Sequence, residues 1–408
     1  MQESAPPLDG HDPTALAAAA RAAVEGVTFG SLGDERFHLD PVPRMIDAGE
    51  WEALAAGLAQ RVRALDAWCA DAYGARRIVA DGVVPARVIE TTETFEPALV
   101  GVELPLWVGI AGLDVVRGAD GRFRVLEDNL RTPSGMAYAI AARETTLRLL
   151  EPAAPPLPLD DLTTLLRDTL AAAAGKDAPR AAVLTDGPDN SAYWEHAWIA
   201  RALDVPLVEP DELDLDSVDV VYRRTNDDRV DSPAGRLLCG RVALVNAFGV
   251  GVGDDKLAHA YVEDMVRYYL GEEPLVPSVR TYDLFVPAVC EEALDRLEEL
   301  VVKPRAGYGG DGVVICPHAE PADVERVRGA VRESPGDYIA QELVALSSHP
   351  TIVDGEVVPR HVDLRPFVFL ASGEARVLPG GLTRVAFDEG ALVVNSSQNG
   401  GVKDTWIV

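Results

Sequence analysis

The chain has 408 residues, 48% apolar and 25% charged, which is the balance of an ordinary folded protein and excludes a disordered, collagen-like or disulfide-stapled one. At about 100–200 residues per domain it should hold two or three structural units. The 37 Lys and Arg against 66 Asp and Glu leave a formal charge of −29, which repels nucleic acid and anionic lipid and makes each basic residue beside glycines informative.

The amino terminus, Met1 to Pro13, is polar and acidic without a basic stretch ahead of an apolar one, so no signal peptide is expected. Residues 14–25 and 50–73 carry helical spacing, the second with Trp51, Leu54, Leu58, Val62, Leu65 and Trp68 at three- and four-residue steps. Residues 1–104 therefore read as a mostly helical region, followed by two strands in 105–150. The Pro-rich run 151–158 can continue neither a helix nor a central strand and marks a boundary. From 151 to 253, helical stretches at 160–174 and 191–203 alternate with short β-branched runs at 181–186, 206–210 and 218–224, predicting a small parallel α/β domain. The region 254–408 opens with a helix at 256–269 and continues through a glycine-rich loop, a helix near 321–333 and several short strands. The most apolar run, Val242 to Val252, is interrupted by Asn246 and is far short of the roughly 20 residues that span a bilayer, so no membrane association is expected. Cys69, Cys239, Cys290 and Cys316 are too scattered for a zinc site or a disulfide framework and suit a reducing cytoplasm.

The most informative segment is GIAGLDVVRGADGRFRVLEDNLRTPSG, residues 109–135. It reads as a hairpin turning at Gly118 to Gly121. With those two glycines facing each other, Asp114 lies opposite Val125 and diagonal to Glu127, roughly 7 Å away between Cβ atoms. Asp114, Glu127 and Asn129 then share a face with Phe123 and Val125. An acidic cluster continuing a buried face is costly unless a cation compensates it, and three oxygen donors suit Mg²⁺. The alternative is the solvated face of an ordinary hairpin. Arg131 to Gly135 adds an arginine, hydroxyls and a tight turn suited to a phosphoryl group.

In LVVKPRAGYGGDGVVI, residues 300–315, Lys303 precedes Gly307, Gly309, Gly310 and Gly312 between two strands. Such glycines let backbone N–H groups approach phosphate while the lysine supplies a charge, although neither a Walker A loop nor a dinucleotide fingerprint is present and a plain tight turn would look the same. Asp254-Asp255-Lys256 opens a helix, where an N-cap with a surface lysine is the plain account. The stretch 338–344, YIAQELV, ends a strand. Toward the carboxyl end Arg365, Arg384, Ser396, Ser397 and Lys403 stand among glycines and short strands, a dense set of anion-binding groups in an acidic protein that could also be structural ion bridges. No serine-hydrolase elbow and no zincin motif occur.

The segments LEDNLRTPSG, VDVVYRR, GDDKLAHAYV, VVKPRAGYGGDGV, IAQELV, HVDLRPFVF, VLPGGLTRVAF and VVNSSQNGGVKDTW, in this order, resemble the circularly permuted ATP-grasp proteins of type 2, related to the synthetase region of glutathionylspermidine synthase. The resemblance implies an α/β (α+β) permuted ATP-grasp fold, with the metal motif ahead of Lys303 as permutation requires. It implies that Lys256 and Lys303 contact ATP, that Gln341, Glu342, Leu343 and Val344 hold adenine, and that Asp114, Glu127 and Asn129 bind Mg²⁺; Lys403 joins the nucleotide-binding set. Two departures stand out: no counterpart of the amidase domain is present, and Gly112 occupies a position where an arginine is expected.

The function that follows is an ATP-dependent carboxylate–amine ligase working through an acyl phosphate on small-molecule acid and amine substrates, with Arg131, Arg365 and Arg384 holding carboxylate and phosphoryl groups. A small-molecule kinase and a non-catalytic nucleotide-binding scaffold are the competing readings. No heptad run marks an oligomer interface, so a homo-oligomer is left open.

Overall fold

The computed structural model describes residues 1–408 except 7, 9, 31–34, 227–228, 307–311 and 393–399. Gly307, Gly309, Gly310, Ser396 and Ser397 therefore lie outside the described residues.

Three sheets organise the chain. The central one has eight strands: Phe123–Asn129 pairs with Ile110–Arg117, whose other edge meets Glu356–Arg365 and Phe367–Ala371, and the order continues through Leu382–Ala386 to Gly400–Lys403, with Ser348–Val353 and Glu374–Val377 attached. A four-stranded antiparallel sheet has the order Thr281–Asp283, Tyr338–Glu342, Leu300–Pro304, Val314–Ile315. A four-stranded parallel sheet has the order Leu207–Val208, Ala181–Thr185, Val220–Arg224, Ala243–Val245, as the alternation of helical and β-branched stretches predicts. The strands of 254–408 thus divide between these two sheets, those from 348 to 403 joining the hairpin of 105–150, while Thr405–Ile407 pairs in parallel with Arg44–Ile46.

The amino-terminal helix Ala48–Tyr73 packs into the same core as the central sheet. Asp47 caps it by accepting from the amides of Gly49 and Glu50. Leu54, Leu58, Val62, Leu65 and Trp68 are buried along it, in one apolar cluster with Leu113, Val115 and Val368 of the sheet. The small antiparallel sheet has its own core, with Val324, Val327 and Val331 supplied by the helix Pro321–Glu333 at three- and four-residue spacing. The expected helix at 256–269 is two, Lys256–His259 and Val262–Leu270. Among the described residues no helix is long and apolar enough to cross a membrane.

The hairpin of residues 110–129 differs from its expected register in two places. The amide of Gly121, at φ +79°, donates to Gly118 O and the amide of Gly118 to Arg122 O, so Arg117 and not Gly118 closes the ladder, opposite Phe123. One extra residue is thereby taken up at the turn, as in a bulged type I connection. A second irregularity falls at the Asp114/Val115 step, where Val115 faces Val125 but Asp114 faces Glu127, leaving Leu126 out of the pairing. Asp114 and Glu127 are therefore directly opposed, at the roughly 4.5–5.5 Å Cβ separation of such pairs and not on a diagonal. Phe123 and Val125 move to the other face, with Val115 and Arg117, where both are buried.

Candidate functional site

A cleft of about 1530 Å³ opens between the central sheet, the small antiparallel sheet and the carboxyl ends of the parallel strands. That exceeds the roughly 300–1,000 Å³ of a single-ligand pocket and leaves room for a nucleotide beside a second molecule. Asp114, Glu127, Asn129, Arg131, Lys256, Lys303, Gln341, Glu342, Leu343, Val344, Arg365 and Arg384 all line it. Gly312 sits at φ +69° against Pro304, where a Cβ would come within 2.9 Å of the proline ring, so it serves as a turn residue.

Acidic and basic side chains meet in the cleft. Glu127, from the hairpin, lies 3.5 Å from Lys256 Nζ. Lys303 stands on the small sheet; burial lowers its pKa, with Glu127 opposing and Lys256 adding to the effect. The helix that begins at Lys256 is capped by Asp255, which accepts from the Leu257 amide and also holds Arg305 through both carboxylate oxygens. Asp254 is pushed up by burial, although Arg131 pairs with it at 2.7 Å. Gln341 donates its amide to Leu126 O at 3.2 Å and Thr281 Oγ1 at 3.0 Å. The Leu126 carbonyl, left out of the hairpin pairing, is thus one point of contact with the small sheet.

On the central sheet, Arg365 holds both oxygens of Asp114 at 2.7 and 3.0 Å, and Arg384 reaches Asp114 at 3.0 Å and Asp363. Burial alone would raise Asp114, but the two guanidinium groups outweigh it and hold the carboxylate at about 2. Glu127 keeps its carboxylate toward the cleft, and Asn129 Nδ2 is buried without a hydrogen-bond partner. These oxygen-bearing side chains fit a hard divalent cation. Glu127 and Asn129 would hold one directly, whereas Asp114 would have to release one of its arginine contacts to join them.

Lys403 does not reach the cleft. It pairs with Thr383, one position along from the Arg384–Val402 pair, and therefore projects from the opposite face, fully buried on Asp40 and the Pro350 carbonyl. Its place in the nucleotide-binding set is corrected accordingly: a charge enclosed on the far side of the sheet is satisfied there.

Several residues were not anticipated. Asp363 and Arg305 stand two positions from Arg365 and Lys303, so a same-face reading of the D-x-R and K-x-R spacings would have found them. Asn246, which looked like an interruption in an apolar run, ties both ends of the hairpin: its Oδ1 accepts from the Gly109 and Ile110 amides at 2.8 Å each, and its Nδ2 donates to the carbonyls of Ile110 and Leu130. The turn after Arg131 is held from the parallel layer. Arg224 donates to Pro133 O at 2.7 Å and Ser134 Oγ at 2.6 Å and pairs with Glu195, which accepts from the Gly135 and Ala137 amides. Those two amides are therefore already taken and are not free for a phosphoryl group.

A small antiparallel sheet beside a larger one, with Lys303 on the first, Lys256 on a helix between them and acidic and amide side chains on the second, is the arrangement of an ATP-grasp protein. The chain belongs to the circularly permuted ATP-grasp type 2 family, whose model matches residues 43–386. It is 46% identical to a Frankia casuarinae protein named "Putative glutamate--cysteine ligase 2-2" over 94% of this chain and 48% of that one. It is 43% identical to an uncharacterized protein of Mycobacterium tuberculosis over 94% of this chain and 76% of that one. It thus spans about half the length of the Frankia relative. Among solved structures, a glutathione synthetase-like effector from Globodera pallida superposes with a TM-score of 0.67 at 11% identity, covering 100% of both chains, a likeness of fold.

Proposed function

We propose that the protein is an ATP-dependent carboxylate–amine ligase that forms an amide or peptide bond through an acyl phosphate, releasing ADP and phosphate. The observation that carries this reading is the opposition of Glu127 and Asn129 to Lys303 and Lys256 across the cleft, with Arg365 and Arg384 continuing the same sheet face. Magnesium, when bound, would neutralise phosphate charge and polarise the γ-phosphoryl group. Lys303 from the small sheet and Lys256 from its helix hold the triphosphate, and the strand end at Gln341 to Val344 receives the adenine. Arg365 and Arg384 hold the acid so that its carboxylate oxygen attacks the γ phosphorus and the bond to the β-phosphate oxygen breaks, leaving ADP. Arg131 stands at the mouth of the turn that faces this exchange. An amine then attacks the acyl carbon, phosphate departs with the bonding pair, and the amine proton passes to solvent or phosphate. Positioning and charge carry the chemistry, and no side chain acts as a nucleophile.

ADP release measured with and without amine, over a panel of amino acids and peptides, tests the reading, and hydroxylamine should trap the activated acid as a hydroxamate. AMP with pyrophosphate would overturn the acyl phosphate step. Phosphorylated product without amine dependence would make the protein a kinase, and no turnover with any acid would make it a scaffold.

A further inference from the structure

A second, smaller cavity adjoins the cleft and shares Glu127, Lys256, Lys303 and Gln341 with it. At about 10 Å³ it has the size of a single water molecule. His259, at the end of the short helix that begins with Lys256, borders it. The ring is 5% exposed and is fixed from behind. Asp128, between Glu127 and Asn129 on the hairpin, projects to the other face of its strand, where Arg61 of the helix Ala48–Tyr73 grips both of its oxygens at 2.6 and 2.7 Å. His259 Nδ1 lies 2.7 Å from Asp128 Oδ2. Arg61 Nη2 stands 3.0 Å from the same nitrogen, but a carboxylate oxygen clasped by a guanidinium only accepts, so the network assigns the proton to Nδ1, which donates to Asp128. Burial lowers the pKa of the ring, with Asp128 opposing and Arg61 and Lys303 adding to the effect, and a neutral imidazole protonated at Nδ1 carries a bare lone pair at Nε2. That atom is buried and, among the described residues, has no hydrogen-bond partner. An acceptor left unmet inside a protein is costly.

We infer that His259 is a positioning residue for Lys303: its Nε2 accepts from one water held in the small cavity, and that water accepts in turn from Lys303 Nζ. The inference rests on the reading above only in so far as that reading gives Lys303 to the triphosphate. A water between a lone pair and an ammonium is satisfied at both ends, and Glu127 and Gln341 on the same cavity supply the further partners that a buried water takes. The enclosure of Nε2 keeps it from the substrate, so its effect passes through the lysine. An ammonium on a flexible four-carbon stem loses rotamer freedom when it grips phosphate, and holding it in place beforehand lowers that cost. Histidine suits the task because Asp128 and Arg61 fix its ring, and with it the direction of the lone pair. The line from Arg61 through Asp128 to His259 ties Lys303 of the small sheet to the amino-terminal helix by way of the strand that carries Glu127 and Asn129, so one strand sets both the oxygen donors and the lysine.

The test is a mutant cycle on the whole protein, with magnesium and a non-hydrolysable ATP analogue, read by calorimetry. His259→Asn keeps an N–H at the position of Nδ1 for Asp128 and removes the acceptor at Nε2, whereas His259→Gln carries an amide oxygen out to the Nε2 position. His259→Asn should weaken analogue binding about fivefold, and His259→Gln should stay within about twofold of the parent; in a Lys303→Met background neither should change the affinity further. A histidine with a merely structural role would cost the same in both backgrounds. A second measurement needs neither nucleotide nor a histidine variant: in nitrogen NMR of histidine-labelled protein, one of the seven histidines, protonated at Nδ1, should shift at Nε2 when Lys303 is replaced by Met, while its Nδ1 keeps its proton. Equal losses in the two backgrounds, or no such displacement at Nε2, would overturn the link. The two readings fail separately. Parent-like analogue affinity in Lys303→Met, with Nε2 still displaced, would keep the link and remove Lys303 from the nucleotide site; weakened analogue binding in Lys303→Met, with Nε2 undisturbed, would do the reverse.

Discussion

Replacing Arg224 by Met should loosen the turn at Pro133 and Ser134 while leaving the nucleotide end of the cleft intact. The side chains of Arg224 and Glu195 are 1% and 0% exposed, so their pairing is a buried one, and removing a single partner from such a pair costs about 3–5 kcal/mol because the other charge stays enclosed. Two features place the expected loss near the lower end, about 3 kcal/mol at pH 7.5. Glu195 keeps its bonds from the Gly135 and Ala137 amides at 2.9 Å each. Burial already raises its pKa above the ordinary carboxylate value, with Arg224 opposing, and the variant takes that opposition away. A carboxyl group whose folded-state pKa is raised carries its full penalty at pH well above that value, and the penalty fades as pH falls through it. The loss at pH 5.5 should therefore be smaller than at pH 7.5. Urea unfolding at the two pH values measures this, and calorimetry with a non-hydrolysable ATP analogue should find affinity within about twofold of the parent, since Lys303 and Gln341 belong to another sheet. A loss below about 1 kcal/mol at pH 7.5, or the same loss at both pH values, would refute the reasoning that this pair clamps the turn.

Glu127→Gln and Asn129→Ala should each reduce ADP release by about a thousandfold or more without shifting the thermal melt, because the phosphate charge loses a ligand that holds its counter-ion; parent-like turnover in either would remove the metal assignment. Lys303→Ala should weaken binding of an ATP analogue by about tenfold or more in calorimetry, whereas Lys176→Ala, which removes an exposed pair with Asp219, should leave it unchanged. Because burial lowers the pKa of Lys303, its proton is lost at lower pH than from an exposed lysine, so analogue affinity should fall along an alkaline limb that begins below 10.5; Lys303→Arg should abolish that limb over the same range, since a guanidinium does not titrate there.

The site was legible where chemistry and strand parity coincide. Asp114, Glu127 and Asn129 share a face, and Lys303 stands on a strand ahead of a glycine-rich loop, so residue type and a period of two sufficed to pick them out. The exact opposition of Asp114 and Glu127 was not legible, because each of the two bulges shifts the register by one residue and nothing in VVRGADGRFRVLE marks the second. Lys403 misled because whether a strand residue meets a cavity or a core depends on what lies over that face, here Asp40, 363 positions away. The parallel layer was readable from local alternation, whereas the union of the 110–129 hairpin with strands beyond 348 was not, since no local pattern encodes pairing across such a separation. Asn246 and Glu195 were missed as polar residues in apolar or helical surroundings whose partners are backbone amides, and amides carry no sequence signature.

Asp114 and the Arg365 that grips it are 251 positions apart, which places a schedule on biosynthesis. A ribosome adding about 5–20 residues per second reaches Arg365 roughly 10–50 s after Asp114. In that interval the parallel layer, built from neighbouring crossovers, has all of its strands in hand. The strand Ile110–Arg117, buried at every position in the finished protein, can pair only with Phe123–Asn129, and its second edge stays open until residues 356–371 emerge. An unpaired edge of this kind is a template for association with another chain. Nascent chains halted between about residues 130 and 350 should therefore be the aggregation-prone species, and the yield of active protein should respond more to elongation rate and to chaperones that shield strand edges than to the stability of the completed fold.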